Sequence, residues 1–201
     1  MSVNIELNSK EINNLICLNL LKMFNRRKLI DNVELTYNSI LPDINVKAII
    51  DFKLNNNVVV NIYFVGAKIT SISQGTPIDD FLSKNIDKHK IIILKETTKK
   101  VLKQILNEYK NSEFFFEYEM LEDIPSKIFI PEHQLLTIEE KNELLSKYNE
   151  NELSIILDTD MMARYFNASI GDIFRIIRPS ITSGKSVVYR RVSHGSLDNI
   201  F

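Results

Sequence analysis

The chain reads as an α+β protein, with an N-terminal α/β part carrying helices on a small mixed sheet and a smaller C-terminal α+β part with antiparallel strands. Three observations lead there. Helical and extended patterns alternate over residues 1–124, prolines at 125 and 131 bracket a short break, and the last third ends in two β-rich runs around a glycine turn. With 201 residues, 44% of them hydrophobic and 25% charged, the chain is long enough to bury a core and has the composition of an ordered protein.

Asn8 followed three positions on by Glu11 forms a capping box, and Ile12, Leu15, Ile16, Leu20, Met23 and Phe24 then recur at helical spacing, so a first helix runs to about Arg27. "VKAIIDFKL" and "VVVNIYFVG" are strands around an "NNN" turn. Thr76-Pro77 with Asp79 and Asp80 opens a short helix, "HKIIILK" is a strand, and Thr97 or Thr98 opens a helix whose inner face is Val101, Leu102, Ile105, Leu106 and Tyr109. "EFFFEYEML" is the last strand of this part, and "SKIFI" connects onward. Thr137 and Glu140 form a second capping box before a helix with Ile138, Leu144, Leu145 and Tyr148 turned inward.

The run "GDIFRIIRPSITSGKSVVYRRV" contains Gly184-Lys185-Ser186, the end of a phosphate-binding loop. Such a loop needs a glycine five positions before Gly184, where Pro179 stands without an N–H, and a helix afterwards, where "SVVYRRV" is β-branched and aromatic. It reads instead as a hairpin or two neighbouring antiparallel strands. Both of its strands are expected to be covered on two sides, Pro179 to end the first, and Ser183-Gly184 to supply a turn with positive φ.

A net charge of -1 argues against a chain that grips nucleic acid strongly by itself. The single cysteine, Cys17, lies in the apolar pattern of the first helix and is expected to be buried and inert. Neither a leader pattern nor an apolar run long enough for a membrane span is found, so the expectation is an intracellular protein without a membrane partner. Histidines 89, 133 and 194 are dispersed and lack cysteine partners, so neither a metal site nor a cofactor is expected, and Ser183 and Ser186 lack a placed base. One enzyme reading competes: Pro42-Asp43 followed by Asp51-x-Lys53 is the pattern of a metal-dependent nuclease acting on DNA, although only seven residues separate the two carboxylates. Charge also segregates, with a net of -6 over residues 131–160 and +4 over 161–201, as at a docking surface or on a solvated acidic helix beside basic strands.

The stretches "PEHQLLTIEEKNELLSKYN" and "DTDMMARYFNASIGDIFRIIRPSITSGKSVVYRRV" closely resemble the C-terminal domain of the fifth subunit shared by eukaryotic nuclear RNA polymerases, and its archaeal counterpart. The matching positions are Pro131, His133, Glu139-Glu140, Tyr148, Asp160, Ala163-Arg164-Tyr165, Gly171-Asp172, Ile176-Ile177-Arg178, Thr182, Gly184 and Tyr189-Arg190. The chain departs from the family at Met161, where Pro is usual, at Asn167 for Gly and Ser183 for Ala, and in a tail past residue 192. Asn167 suits a left-handed helix end almost as Gly does.

The order of elements in the first two thirds resembles the jaw of eukaryotic and large-virus members. The resemblance implies a jaw over 1–124, a connector over 125–130, an assembly domain over 131–192 and a tail over 193–201. It further implies a non-catalytic polymerase subunit that docks on the largest subunit near small neighbours through His133, Arg164, Tyr165, Gly171, Asp172, Arg178, Thr182, Gly184, Tyr189 and Arg190. Downstream duplex DNA would lie beside the jaw, near Lys95, Thr97, Thr98, Lys99 and Lys100, within a stretch of seven lysines and two acidic residues at 84–103. The Ile-, Asn- and Lys-rich composition and compact jaw lean towards a large DNA virus, hence a viral factory or virion. A cellular member would work in the nucleus.

Overall fold

The structure is a computed structural model, and it describes residues 8–44, 46–84, 88–180, 182 and 184–200. Residues 1–7, within the segment read for a leader, and Ser183 of the expected turn lie outside the described residues. The chain divides into two compact units, residues 1–123 and 124–201.

In the first unit, α1 (Ser9–Arg26) starts at the expected box: Asn8 Oδ1 accepts from the Glu11 N–H and Glu11 Oε2 from the Asn8 N–H. It ends with Lys28 at φ 60, where the Lys28 and Leu29 amides bond back to Asn25 and Phe24 carbonyls, closing a left-handed C-terminal motif. Cys17 is fully buried on this helix, which pushes its thiol up to about 12 and keeps it protonated, as expected of an inert thiol. A second helix, α2 (Val33–Ile44), was not expected. Asn32 caps it by accepting from the Leu35 N–H, but Pro42 interrupts the sequence signal and, of its apolar residues, only Ile40 and Ile44 are buried.

The sheet follows as β1 (Ile49–Lys53), β2 (Val59–Val65), β3 (His89–Leu94) and β4 (Ser112–Phe116), in that spatial order. The β1–β2 pair is antiparallel around the asparagine turn, where Asn57 takes φ 62; β2–β3 and β3–β4 are parallel. Parallel neighbours need crossovers, and α3 (Pro77–Lys84) and α4 (Lys99–Glu108) provide them. α1 covers one sheet face, its Phe24 ring meeting Phe52 at 5.4 Å, while Phe81 of α3 meets Tyr63 on the other at 5.0 Å. With both faces covered, Ile91 to Leu94 of β3 are completely buried.

Two local expectations are corrected here. The strand within "EFFFEYEML" stops at Phe116, because Glu119 accepts the Phe116 N–H and starts a four-residue helix, α5 (Glu117–Met120). Leu106 points to solvent, since only Val101, Leu102 and Ile105 fit the buried stripe of α4. Thr98 occupies the N-cap of α4, as expected, without a capping bond from its side chain.

The second unit is a sheet of order β5-β7-β8-β6, with β5 (Glu132–Leu135), β6 (Ser154–Leu157), β7 (Ile173–Ser180) and β8 (Gly184–Ser193). The β7–β8 hairpin is present, and β5 adds antiparallel to β7, whereas β6 adds parallel to β8. α6 (Ile138–Leu145) starts at the Thr137/Glu140 box, but Ile138 and Tyr148 are exposed and only Leu144 is buried on it. Pro179 does not end β7; it pairs opposite Lys185, beyond Ile177 where β5 stops, so the missing N–H falls at an open edge. β7 buries Ile173, Phe174 and Ile176, pointing to both faces, but β8 buries only Val192 and leaves Val187 half exposed. α7 (Met161–Tyr165) is capped by Asp160 and ends at Asn167 with φ 50, where the Asn167 and Ala168 amides bond to Arg164 and Ala163 carbonyls. The asparagine therefore does take the glycine-like position. Among the described residues no helix is long and apolar enough to cross a membrane.

Candidate docking and nucleic-acid interfaces

Sheet register decides which of the anticipated docking residues meet. Opposed residues share a face, so Leu135, Phe174 and Arg190 form one row, His133, Ile176 and Val188 the next, and Arg178 with Ser186 a third. Phe174 and Ile176 turn this face into the unit's core, with Ile156, Ala163 and Val192. His133, Arg178 and Arg190 thus border one apolar centre. The His133 ring stands edge-on to Phe174 at 5.9 Å, and its Nδ1 lies 2.7 Å from the Pro131 carbonyl, to which it donates. Burial lowers its pKa, and Arg190 and Arg178 push the same way against the Pro131 carbonyl and Asp160, so the ring is neutral at pH 7.

Each of the two arginines has one unmet donor. Arg178 Nε and Arg190 Nε are buried without a hydrogen-bond partner, and neither side chain makes an ion pair among the described residues. Arg164, on α7, directs an Nη towards the Met161 sulfur at 3.6 Å, and the cap residue of that helix, Asp160, is the carboxylate acting on His133. On the opposite face Arg175 bonds Glu140 at 3.0 Å, and Arg191 lies 3.8 Å from Glu150, although its Nε too is buried without a hydrogen-bond partner.

The other anticipated docking positions have structural work. Tyr165 is 2% exposed in the core. Tyr189 lies under the Arg175 guanidinium, 5.9 Å from ring centre, on the face away from His133. Gly171 takes φ 90 and its carbonyl accepts from Lys141 Nζ at 2.7 Å, while Asp172 accepts the Ser169 N–H. Thr182 lies in the hairpin turn, its hydroxyl 3.3 Å from that of Ser180, and Gly184 opens β8 at φ 72.

In the first unit, Lys95, Lys99 and Lys100 are exposed where β3 leads into α4. Thr97 and Thr98 direct their hydroxyls to the Ile69 and Thr70 carbonyls at 3.2 and 3.4 Å, which pins the loop and leaves the first-turn amides of α4 uncapped by side chain. One turn on, Lys100 and Lys103 border a shallow groove of about 400 Å³ with Ser71, Ser73, Gln104 and Asn107. Exposed ammonium groups beside a helix start suit a phosphate.

The nuclease pattern is not assembled. Asp43 belongs to α2 rather than a strand and pairs with Lys47 at 2.7 Å. Asp51 accepts from Asn61 of β2, also at 2.7 Å, so an amide stands where a second carboxylate would be needed. Among the described residues no group of three His, Cys, Asp or Glu is placed to hold a metal.

A chain with buried, unmet donors in one unit and an exposed lysine cluster in the other is suited to binding partners, and comparison with known proteins gives its class as a DNA-directed RNA polymerase subunit. The family model described as RNA polymerase Rpb5, C-terminal domain, matches residues 122–192. A DNA-directed RNA polymerase subunit 5 of Acanthamoeba polyphaga mimivirus is 37% identical over 142 residues, covering 70% of this chain and 68% of that protein. A subunit rpabc1 of DNA-directed RNA polymerases I, II and III from Dictyostelium discoideum is 32% identical over 136 residues, 64% of this chain and 69% of that one. The Rpo5 subunit of Thermofilum pendens is 41% identical over 75 residues, only 36% of this chain but 94% of the archaeal protein. The chain therefore belongs to the fifth-subunit family of the multisubunit DNA-directed RNA polymerases, and is a non-catalytic subunit whose partners are other polymerase subunits.

Proposed function

We propose that residues 131–192 dock this chain on the largest polymerase subunit, near small neighbouring subunits, and that residues 1–124 form a jaw beside downstream duplex DNA, with 125–130 as connector and 193–201 as tail. The observation that carries the docking half is the face with His133, Arg178 and Arg190, where the Nε atoms of both arginines are buried without a hydrogen-bond partner among the described residues. Unmet buried donors cost about 1–3 kcal/mol each, a penalty that a partner's acceptors remove. The archaeal relative supports a separable part of this size, since its match of 75 residues takes in 94% of its own length.

The jaw half rests on Lys95, Lys99 and Lys100 at the open start of α4. A net charge of -1 makes the free chain a weak DNA binder, and held beside a duplex the same lysines act at high effective concentration. The mimivirus relative supports a viral source and hence work in a viral factory or virion.

The docking reading is tested with a fragment of residues 125–201. It should bind the purified largest subunit with nearly the affinity of the full chain. Binding by the 1–124 fragment alone, with none by 125–201, overturns the assignment.

A further inference from the structure

We infer that the Arg178–Arg190 face receives carboxylates, and that the segment it holds on the largest subunit is an acidic stretch of polypeptide. The inference rests on the docking reading and names the chemistry of its partner.

A guanidinium presents Nε–H and one Nη–H along a straight edge whose spacing matches the two oxygens of a carboxylate. In Arg178 and Arg190, as in Arg191, the Nε member of that edge is buried and unbonded, but Arg191 has Glu150 as counter-ion and these two half-buried arginines make no ion pair among the described residues. A neutral acceptor would satisfy one N–H, whereas a carboxylate satisfies the edge and the charge together. The chain's own carboxylate near this face, Asp160, is committed to the Met162 N–H that it caps. The imidazole between the arginines is neutral, with its Nδ1–H committed to Pro131, so His133 does not compete for the incoming anion as a cation. The Phe174 ring behind it lowers the local polarity and strengthens whatever pair forms in front.

Nucleic-acid phosphate is the other anion to weigh. Phosphate-backbone binding draws on many cations spread along a surface. Here two arginines without an ion pair among the described residues lie within three rows of one sheet, beside Asp160. That geometry fits one or two side-chain carboxylates on a short segment.

The test uses the full chain and the purified largest subunit of its own polymerase, with Kd measured at about 50 and 300 mM salt for wild type, R178Q/R190Q and R178K/R190K. The double Gln variant should bind about 100-fold more weakly at low salt and lose most of its salt dependence. The double Lys variant, which keeps charge but not the planar edge, should lose about tenfold and keep the salt dependence, a readout that survives if the Gln variant fails to fold. Wild-type affinity in both variants overturns the carboxylate assignment while leaving docking intact. No binding by wild type overturns the docking reading and this inference with it. A 20-bp duplex that binds wild type and loses binding in R178Q/R190Q would assign the face to nucleic acid instead.

Discussion

Glu113 on β4 is the group through which acid should unfold the N-terminal unit. Its carboxylate bonds Arg27 at 2.7 and 2.8 Å, beyond the end of α1, and His89 Nε2 stands 2.7 Å away. Burial alone would raise its pKa, but the charge of Arg27, helped by His89, wins and brings it down from 4.5 to about 2. At about 1.4 kcal/mol per unit, that gap corresponds to about 3 kcal/mol of stability. A depressed carboxylate contributes fully above its unfolded value and loses the contribution as pH falls through its folded value, so the window is about pH 4.5 down to 2. Glu113→Gln removes the charge and leaves Arg27, 5% exposed, without this counter-ion. The expected loss at pH 7 is about 3 kcal/mol, read from urea unfolding as a lower midpoint with an unchanged slope. The same comparison at pH 3 should show a much smaller difference, because wild type has lost part of what the variant lacks. A difference that stays constant from pH 7 to pH 3 would refute the assignment of the shift to this ion pair.

Three further outcomes follow from individual positions. Gly184 has open space where a Cβ would go but sits at φ 72, so Gly184→Val should cost about 1–3 kcal/mol through backbone strain alone and Gly184→Asn clearly less, as read by thermal melts. A Cβ on Gly195 would approach Thr159 Oγ1 to 2.5 Å and displace the Gly195 N–H from Asp158, so Gly195→Ala should loosen residues 194–200, seen as faster amide exchange there with little change in the melt of the unit. Lys95→Glu with Lys99→Glu and Lys100→Glu should shorten the lifetime of elongation complexes at low salt and reduce the salt slope by about one for each phosphate no longer neutralised, with subunit content unchanged; superimposable lifetime-against-salt curves would assign these lysines to solvent.

Local signals carried much of this fold. Asn8 with Glu11 and Thr137 with Glu140 marked two helix starts because a capping box is complete within four residues. Asn167 marked a helix end because so few residues tolerate its φ. α2 was hidden by Pro42, and β5 and β6 by shortness: "EHQL" and "SIIL" are four residues each and become strands only by pairing with β7 and β8 far along the chain. Ile138 and Tyr148 fit an inward helical face by spacing, yet both are exposed, since spacing does not say which side of a short helix meets the sheet. The proposed docking residues came from resemblance, which does not say how they are disposed. Register sorts them by face, gathering His133, Arg178 and Arg190 on one while Tyr189 turns to the other. The buried, unbonded Nε atoms of those arginines follow from packing and had no signature in the sequence.

The central claim, that this chain works as a stoichiometric part of a polymerase, is tested most directly by native mass spectrometry of the RNA polymerase purified through its largest subunit. The account predicts one copy of this chain per largest subunit, retained at salt concentrations that strip DNA from the complex. An active polymerase of otherwise full composition that lacks the chain would contradict it.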